Sequence, residues 1–358
     1  MLHGRKTGCG LLVVALILTG CDDGRMTGSD GSVPPGTDGG GPPPGTDGGG
    51  PPPGTDAGPP PPMSALVDPD CTDGMFTEAL PDPTADLSDL EAAYTGSDPR
   101  AFIEAVLGRR YSTGRELVVN GNSPGIGDCV ELFLSDPSTP TSVYEELSTI
   151  VHECGHFYDL SEGGADAVYV INDSPLRLSC SGGDTVARGG STYERSRIRN
   201  DEYQSLNASD FYADIYLDGN PDDSMFDGGD QGFDSLLEET VQYVNSLASS
   251  YAFTNELNTG GASSQRDGIL TFLWYVERYL HMARLTFPSA YDHILNGDAG
   301  CWRNAILTVW GRAWLYLETT RGMGHLGIND AMLEGLVMDA ELLGEIQRLR
   351  DAAGCPAP

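Results

Sequence analysis

Between Ser142 and Leu160 the chain reads SVYEELSTIVHECGHFYDL, and this stretch limits the possible fold more than any other. His152 and His156, two of only six histidines, stand four residues apart, with Glu153 directly after the first. On a helix, positions i and i+4 lie one turn apart on the same face, so both imidazoles can meet a single metal ion. Glu153 is turned about 100° away and can reach a water on that ion. The pattern needs a helix, and the local sequence supplies one. Pro140 reads as a stop, Ser142 as an N-cap and Glu145 as the partner that completes a capping box, which starts the helix near Val143. Val143, Leu147, Ile150, Val151 and Cys154 then recur at helical spacing and give it a buried face. Gly155 costs a helix interior about 1 kcal/mol against alanine, which predicts another backbone packed closely there.

Two imidazoles leave zinc short of the three protein ligands that a catalytic site uses. In the later segment Leu236–Tyr251, the residues Leu237, Val241, Val244, Ala248 and Tyr251 mark an apolar face. Glu238 falls at the edge of that face and Glu239 nearly opposite. The wheel therefore makes Glu238 the expected ligand and leaves Glu239 in solvent or behind a ligand.

HECGH, taken with EETVQYV from Glu238 onward, resembles the gluzincin branch of the zincin metallopeptidases. The resemblance implies Zn2+ held by His152, His156 and Glu238, with Glu153 as general base on a zinc-bound water. It also implies peptide-bond hydrolysis, by an endopeptidase rather than an exopeptidase. The segment GGADAVY from Gly163 to Tyr169 is partly similar to the aspzincins, which makes Asp166 the alternative third ligand. Glu162 stands where a metzincin would carry its third histidine. Tyr243, Tyr251, His281 and His325 are candidates for stabilising an oxyanion. A reading of another class is a zincin-fold surface protein that binds without turnover.

The termini carry a different message. Residues 1–20 have a basic start at Arg5 and Lys6 and an apolar run, Leu11 to Leu18, too short to span a bilayer, as a signal peptide does. Leu18-Thr19-Gly20-Cys21 resembles the lipobox of bacterial lipoprotein precursors, which implies a lipid on Cys21 and anchorage to a membrane of the cell envelope. Residues 21–63 read as a disordered tether: Gly36-Thr37-Asp38, Gly45-Thr46-Asp47 and Gly54-Thr55-Asp56 recur among prolines with almost nothing apolar to bury. Residues 64–358 are long enough for one large domain or two lobes.

Past residue 20 the chain holds 18 arginines, no lysine and 53 acids, a formal charge of −35. Such a surface argues against nucleic acid as a partner and against anionic lipid bound through basic patches. It fits an exported, highly soluble protein or one that meets cations such as calcium or basic substrates. A peptide or protein substrate is what the metallopeptidase resemblance implies. Six cysteines remain beyond Cys21, an even number that favours disulfides in an exported chain. Pairing between sequence neighbours predicts Cys71 with Cys129, Cys154 with Cys180, and Cys301 with Cys355. The run Asp218–Asp234 is crowded with aspartate and glycine and is a candidate for structural Ca2+, although its spacing is not that of an EF-hand.

Asp98-Pro99 opens a helix, as an N-cap followed by proline at the first helical position. Glu116–Asn120 and Cys129–Ser135 read as strands ahead of the metal helix, with Ala167–Ile171 and Leu176–Cys180 as a hairpin behind it. Asp210–Leu217 reads as a short helix. Leu236–Tyr251, Gly268–Leu285, Cys301–Glu318 and Asp330–Ala353 are long amphipathic helices. Tyr275, Tyr279, Trp302, Trp310 and Trp314 sit at core spacing. The expected architecture is α+β and zincin-like: a small sheet beside the HExxH helix and a mainly helical C-terminal half.

Overall fold

The computed structural model describes residues 66–123, 127–163, 166–173, 176–181, 195–204, 210, 212–217, 232–257 and 263–356. The expected signal, Cys21, the tether and residues 218–231 of the calcium candidate lie outside them.

The chain opens with α1 (Ser88–Ala93), α2 (Pro99–Arg110) and α3 (Ser112–Asn120). A two-stranded pairing of β1 (Asn122–Ser123) with β2 (Gly127–Asp128) leads through α4 (Cys129–Phe133) to the HExxH helix, α5 (Pro140–Gly163). The antiparallel hairpin β3 (Ala167–Asn172) and β4 (Leu176–Cys180) follows, then a 3-10 turn at Arg195–Ile198 and α6 (Ala213–Tyr216). The rest is helical: α7 (Phe233–Ala252), α8 (Gln265–Thr286), α9 (Pro288–Asn296), α10 (Cys301–Thr319), α11 (Asp330–Val337) and α12 (Ala340–Ala353). This is the α+β, zincin-like arrangement that the sequence predicts.

At α2 the expected cap forms, the Asp98 side chain accepting from the Ala101 amide with Pro99 at the first position. Helix α5 starts earlier than its capping box suggests. Thr139 Oγ1 accepts from the Ser142 amide at 3.1 Å, so Thr139 is the N-cap and Pro140 the first helical residue. Proline lacks only an N–H that a first turn leaves unpaired anyway, so Pro140 itself opens this helix. The Asp330–Ala353 segment breaks at Asp339, whose carboxylate caps α12 by accepting from the Glu341 and Leu342 amides.

Both strands expected ahead of α5 are helical. Glu116–Asn120 is the end of α3, where Leu117 and Val118 are buried in a helix packed on α5. Cys129–Phe133 is α4, opened by Asp128 accepting from the Val130 amide. A short apolar run carries no decisive period, and tertiary packing chose the helix. The sheet that borders α5 is therefore the hairpin behind it, tied on by the Val170 amide donating to Asp159 Oδ1 at 2.8 Å.

Helices α7 and α8 pack on each other and are buried around most of their circumference. Helix α7 also packs against α5 and α10. Tyr275, Tyr279, Trp302, Trp310 and Trp314 are all in the core, as their spacing predicts. The Trp310 indole donates to the Leu66 carbonyl at 2.6 Å and so fixes the beginning of the described chain to α10.

The disulfides join Cys71 to Cys355, Cys129 to Cys154, and Cys180 to Cys301, in place of the three neighbour pairs expected. Folding, not sequence proximity, sets which thiols meet. These bonds imply an oxidising compartment. They also correct the expected membrane partnership through a lipidated cysteine: every described cysteine is consumed in a disulfide, and Cys21 lies outside the described residues. Among the described residues no helix is long and apolar enough to cross a membrane.

Gly155 is required by a side chain and not by a second backbone: a Cβ there would lie 1.8 Å from Gln242 Oε1. Gly155→Ala should therefore cost about 1–3 kcal/mol by overpacking, whereas Gly335→Ala, where a Cβ meets nothing within 4 Å, should be neutral or stabilise by about 0.4–1 kcal/mol. Urea denaturation of the two variants beside the parent checks both signs.

Candidate metal centre

Helix α5 presents its histidines to α7. His152 Nδ1 donates to Ser246 Oγ at 3.1 Å, and that hydroxyl in turn donates to the Ser148 carbonyl at 3.2 Å. His156 Nδ1 donates to Glu238 Oε2 at 2.6 Å. With Nδ1 engaged on both rings, each Nε2 is left as the metal-binding nitrogen. Both converge on one oxygen: Glu239 Oε2 lies 3.6 Å from His152 Nε2 and 3.7 Å from His156 Nε2.

Those separations suit an ion. Ligand atoms about 2.1 Å from a tetrahedral zinc are about 3.4 Å from one another. Glu239 Oε2 is buried without a hydrogen-bond partner, an expensive state for a carboxylate oxygen unless a cation meets it. His152, His156 and Glu239 together match an HExxH-type zinc site and support a single Zn2+. Edge-on contact with the Tyr243 ring, 4.9 Å between centroids, fixes the other side of His152.

Of the expected site residues, the structure brings together His152 and His156, and buries Glu153 beside them. Glu238 and Glu239 exchange the places that the helical wheel gives them. The physical reason is that α7 has no solvent side at this level. Its face toward α5 is a buried polar seam of Glu239, Gln242, Ser246 and Ser249, alternating by three and four residues. Apolar residues mark only the opposite sides, so the wheel pointed away from the centre. Glu238 holds His156 from behind.

Asp166 is exposed in the turn after α5, its amide bonded to the Gly163 carbonyl, and does not join the cluster. Glu162 pairs with Arg177 at the outer end of α5. His281 lies among Glu202, Glu341 and Glu345, and His325 against Thr254 Oγ1 at 3.3 Å. Tyr251, twelve residues beyond Glu239 on α7, is roughly 18 Å farther along the helix axis. Tyr243 alone of the four oxyanion candidates has a described contact with a residue of the cluster, and that contact is made by its ring.

A network behind the cluster holds it. Gln242 Nε2 donates both to Glu238 Oε1 at 2.9 Å and to Asp159 Oδ2 at 2.8 Å, while its carbonyl accepts from Asn245 at 2.9 Å. Tyr111 continues the chain by donating to Asn245 Oδ1 at 3.1 Å. None of these positions stands out by apolar period. The sequence signal for them is the polar spacing within an otherwise apolar helix.

Electrostatics differ between the two histidines. Burial lowers His152 below its usual value. Burial alone would lower His156 too, but the carboxylates of Glu238 and Glu239 override it and raise His156 to about 10. Burial would raise Glu239, yet the facing imidazoles hold it below the ordinary carboxylate range. No family model, no curated protein and no solved structure matches the chain.

One zinc per chain is expected by elemental analysis after dialysis. Glu239→Ala should lose it, Glu238→Ala should weaken it about 10–100-fold, and Asp166→Ala should leave it in place. Because the metal-free protein keeps His156 protonated from 6.5 up to about 10, zinc must displace that proton at neutral pH. Calorimetric titration in buffers of different ionisation enthalpy should show about one proton released per zinc at pH 8, with affinity rising with pH.

Proposed function

We propose that this protein is an exported zinc-dependent metallopeptidase. The observation that carries the reading is the convergence of three buried ligand atoms, each imidazole held by its far nitrogen, with three protein ligands among the described residues and not the four of a closed structural site. In this reading His152, His156 and Glu239 hold the metal, and Glu238 and Ser246 orient the two rings. Bound there, Zn2+ supplies Lewis acidity toward water and a carbonyl oxygen.

Glu153 supplies the proton chemistry. It follows His152 on α5, is almost fully buried, and acts electrostatically on His156. Its carboxylate takes a proton as water adds to the peptide carbonyl. The new C–O bond forms, the C–N bond breaks, and Glu153 returns the proton to the departing amine. The net products are one carboxylate and one ammonium group from one peptide bond and one water, the second proton coming from the new carboxyl group. The three disulfides support export to an oxidising compartment.

Glu153→Gln keeps size and hydrogen bonding but removes the base. It should retain zinc and lose cleavage of a mixed peptide library by about 10²–10⁴-fold. Internal cleavage products are expected from endopeptidase action. A wild-type protein that binds zinc and cleaves no member of the library would instead support the binding-only alternative.

A further inference from the structure

Arg195 is buried to 1% exposure, yet its Nε and Nη2 have no hydrogen-bond partner. Its Nη1 donates to Ser235 Oγ at 3.0 Å, and the guanidinium lies over the Tyr216 ring, 5.3 Å from its centroid. Ser235 and Glu239 are four residues apart on α7, hence one turn apart on the same face. The Ser235 bond thus seats the guanidinium one helical turn from the metal cluster. Glu239 is also the charge that acts on Arg195 most strongly.

A structural arginine normally spends its donors on carboxylates or carbonyls, as others in this protein do. Arg312 is paired with Glu78 at 2.9 Å, and Arg350 with Asp73 at 2.6 Å. Both are buried, Arg312 as deeply as Arg195. In a chain this rich in acids, a guanidinium one helical turn from a metal cluster that pairs with no carboxylate among the described residues keeps unspent capacity for an anion. The two free donors, on adjacent nitrogens of one planar group, match the two oxygens of a carboxylate.

We infer that Arg195 is a specificity residue that binds a carboxylate of the substrate close to the bond being cleaved. This rests on the metallopeptidase reading. The carboxylate can come from an aspartate or glutamate side chain next to that bond or from a free C-terminus one residue beyond it. Both sources present the same fork to the guanidinium.

The test uses the zinc-loaded full chain and four peptides of one sequence derived from a cleaved library member. One carries glutamate beside the scissile bond, one glutamine there, one ends in a free carboxylate one residue beyond the bond, and one in the matching amide. Wild-type kcat/KM should favour at least one acid over its neutral partner by tenfold or more, mainly through KM, and whichever pair shows this names the source. Arg195→Met should bring that ratio to near one, and Arg195→Lys should restore part of it. Equal rates on both wild-type pairs would overturn the proposal without reference to any variant. So would an Arg195→Met loss that is the same for acid and neutral peptides, which would make the arginine an oxyanion donor or a structural cation. Isothermal titration of the preferred acid peptide and its neutral partner into Glu153→Gln supplies a readout without turnover. The carboxylate preference should persist there, so a failure of catalysis and a failure of recognition are told apart.

Discussion

The rest of the centre depends on how closely α5 approaches α7 at Gly155. With no Cβ at that position, the Gln242 side chain lies directly on the α5 backbone. From there its amide spans Glu238 on its own helix and Asp159 one turn further along α5. Glu238 in turn fixes the His156 ring, and Asp159 fixes the β3 backbone. One glycine thus sets the distance at which an imidazole, two carboxylates and the hairpin can share one amide. Any lengthening of that gap would be felt at the metal cluster before it was felt in the apolar core, since hydrogen bonds weaken over tenths of an ångström.

This packing gathers negative charge where solvent cannot screen it. Glu153, Asp159 and Glu239 are buried, and Glu238 is mostly so. Burial, joined by the charge of Glu238, pushes Asp159 well above its ordinary value. The proton held on His156 offsets part of that charge in the metal-free protein. A divalent cation replaces it with more charge at a shorter distance, so metal affinity and folding stability draw on the same interactions. Arg195 contributes a further positive charge that acts on Glu239.

The sequence made the metal helix legible because its chemistry and its period coincide: two histidines at i and i+4 need a helix, and the apolar residues around them provide one. The long C-terminal helices and the β3–β4 hairpin were legible for the same reason. Glu239 was not, because apolar periodicity locates a solvent side only when a helix has one. Helix α7 lies in the middle of the protein, and its polar residues face a neighbour. The short segments before α5 were misread as strands since five to seven residues cannot establish a period, and what decided them was contact with α5. Arg195 carries no local signal at all. Its meaning comes from Ser235, forty residues later, and from two guanidinium donors left without a hydrogen bond.

Disulfide pairing was equally illegible, and the Cys129–Cys154 bond shows why it matters. Cys154 is two residues from each of the histidines that flank it, which on a helix turns it about 200° away from them. The histidine side of α5 faces α7 while the cysteine side is bonded to α4. Gly121 leaves room for that bond, since a Cβ there would lie 2.9 Å from Cys129 Sγ and 2.7 Å from the Cys154 carbonyl. Helix α5 is thereby clamped from both sides at the same level, by a covalent bond on one and by the Gln242 network on the other. A ligand-bearing helix fixed in this way cannot rotate to follow a metal. The two imidazoles must be set before the ion arrives, and Glu239, approaching on a different helix, closes the triangle.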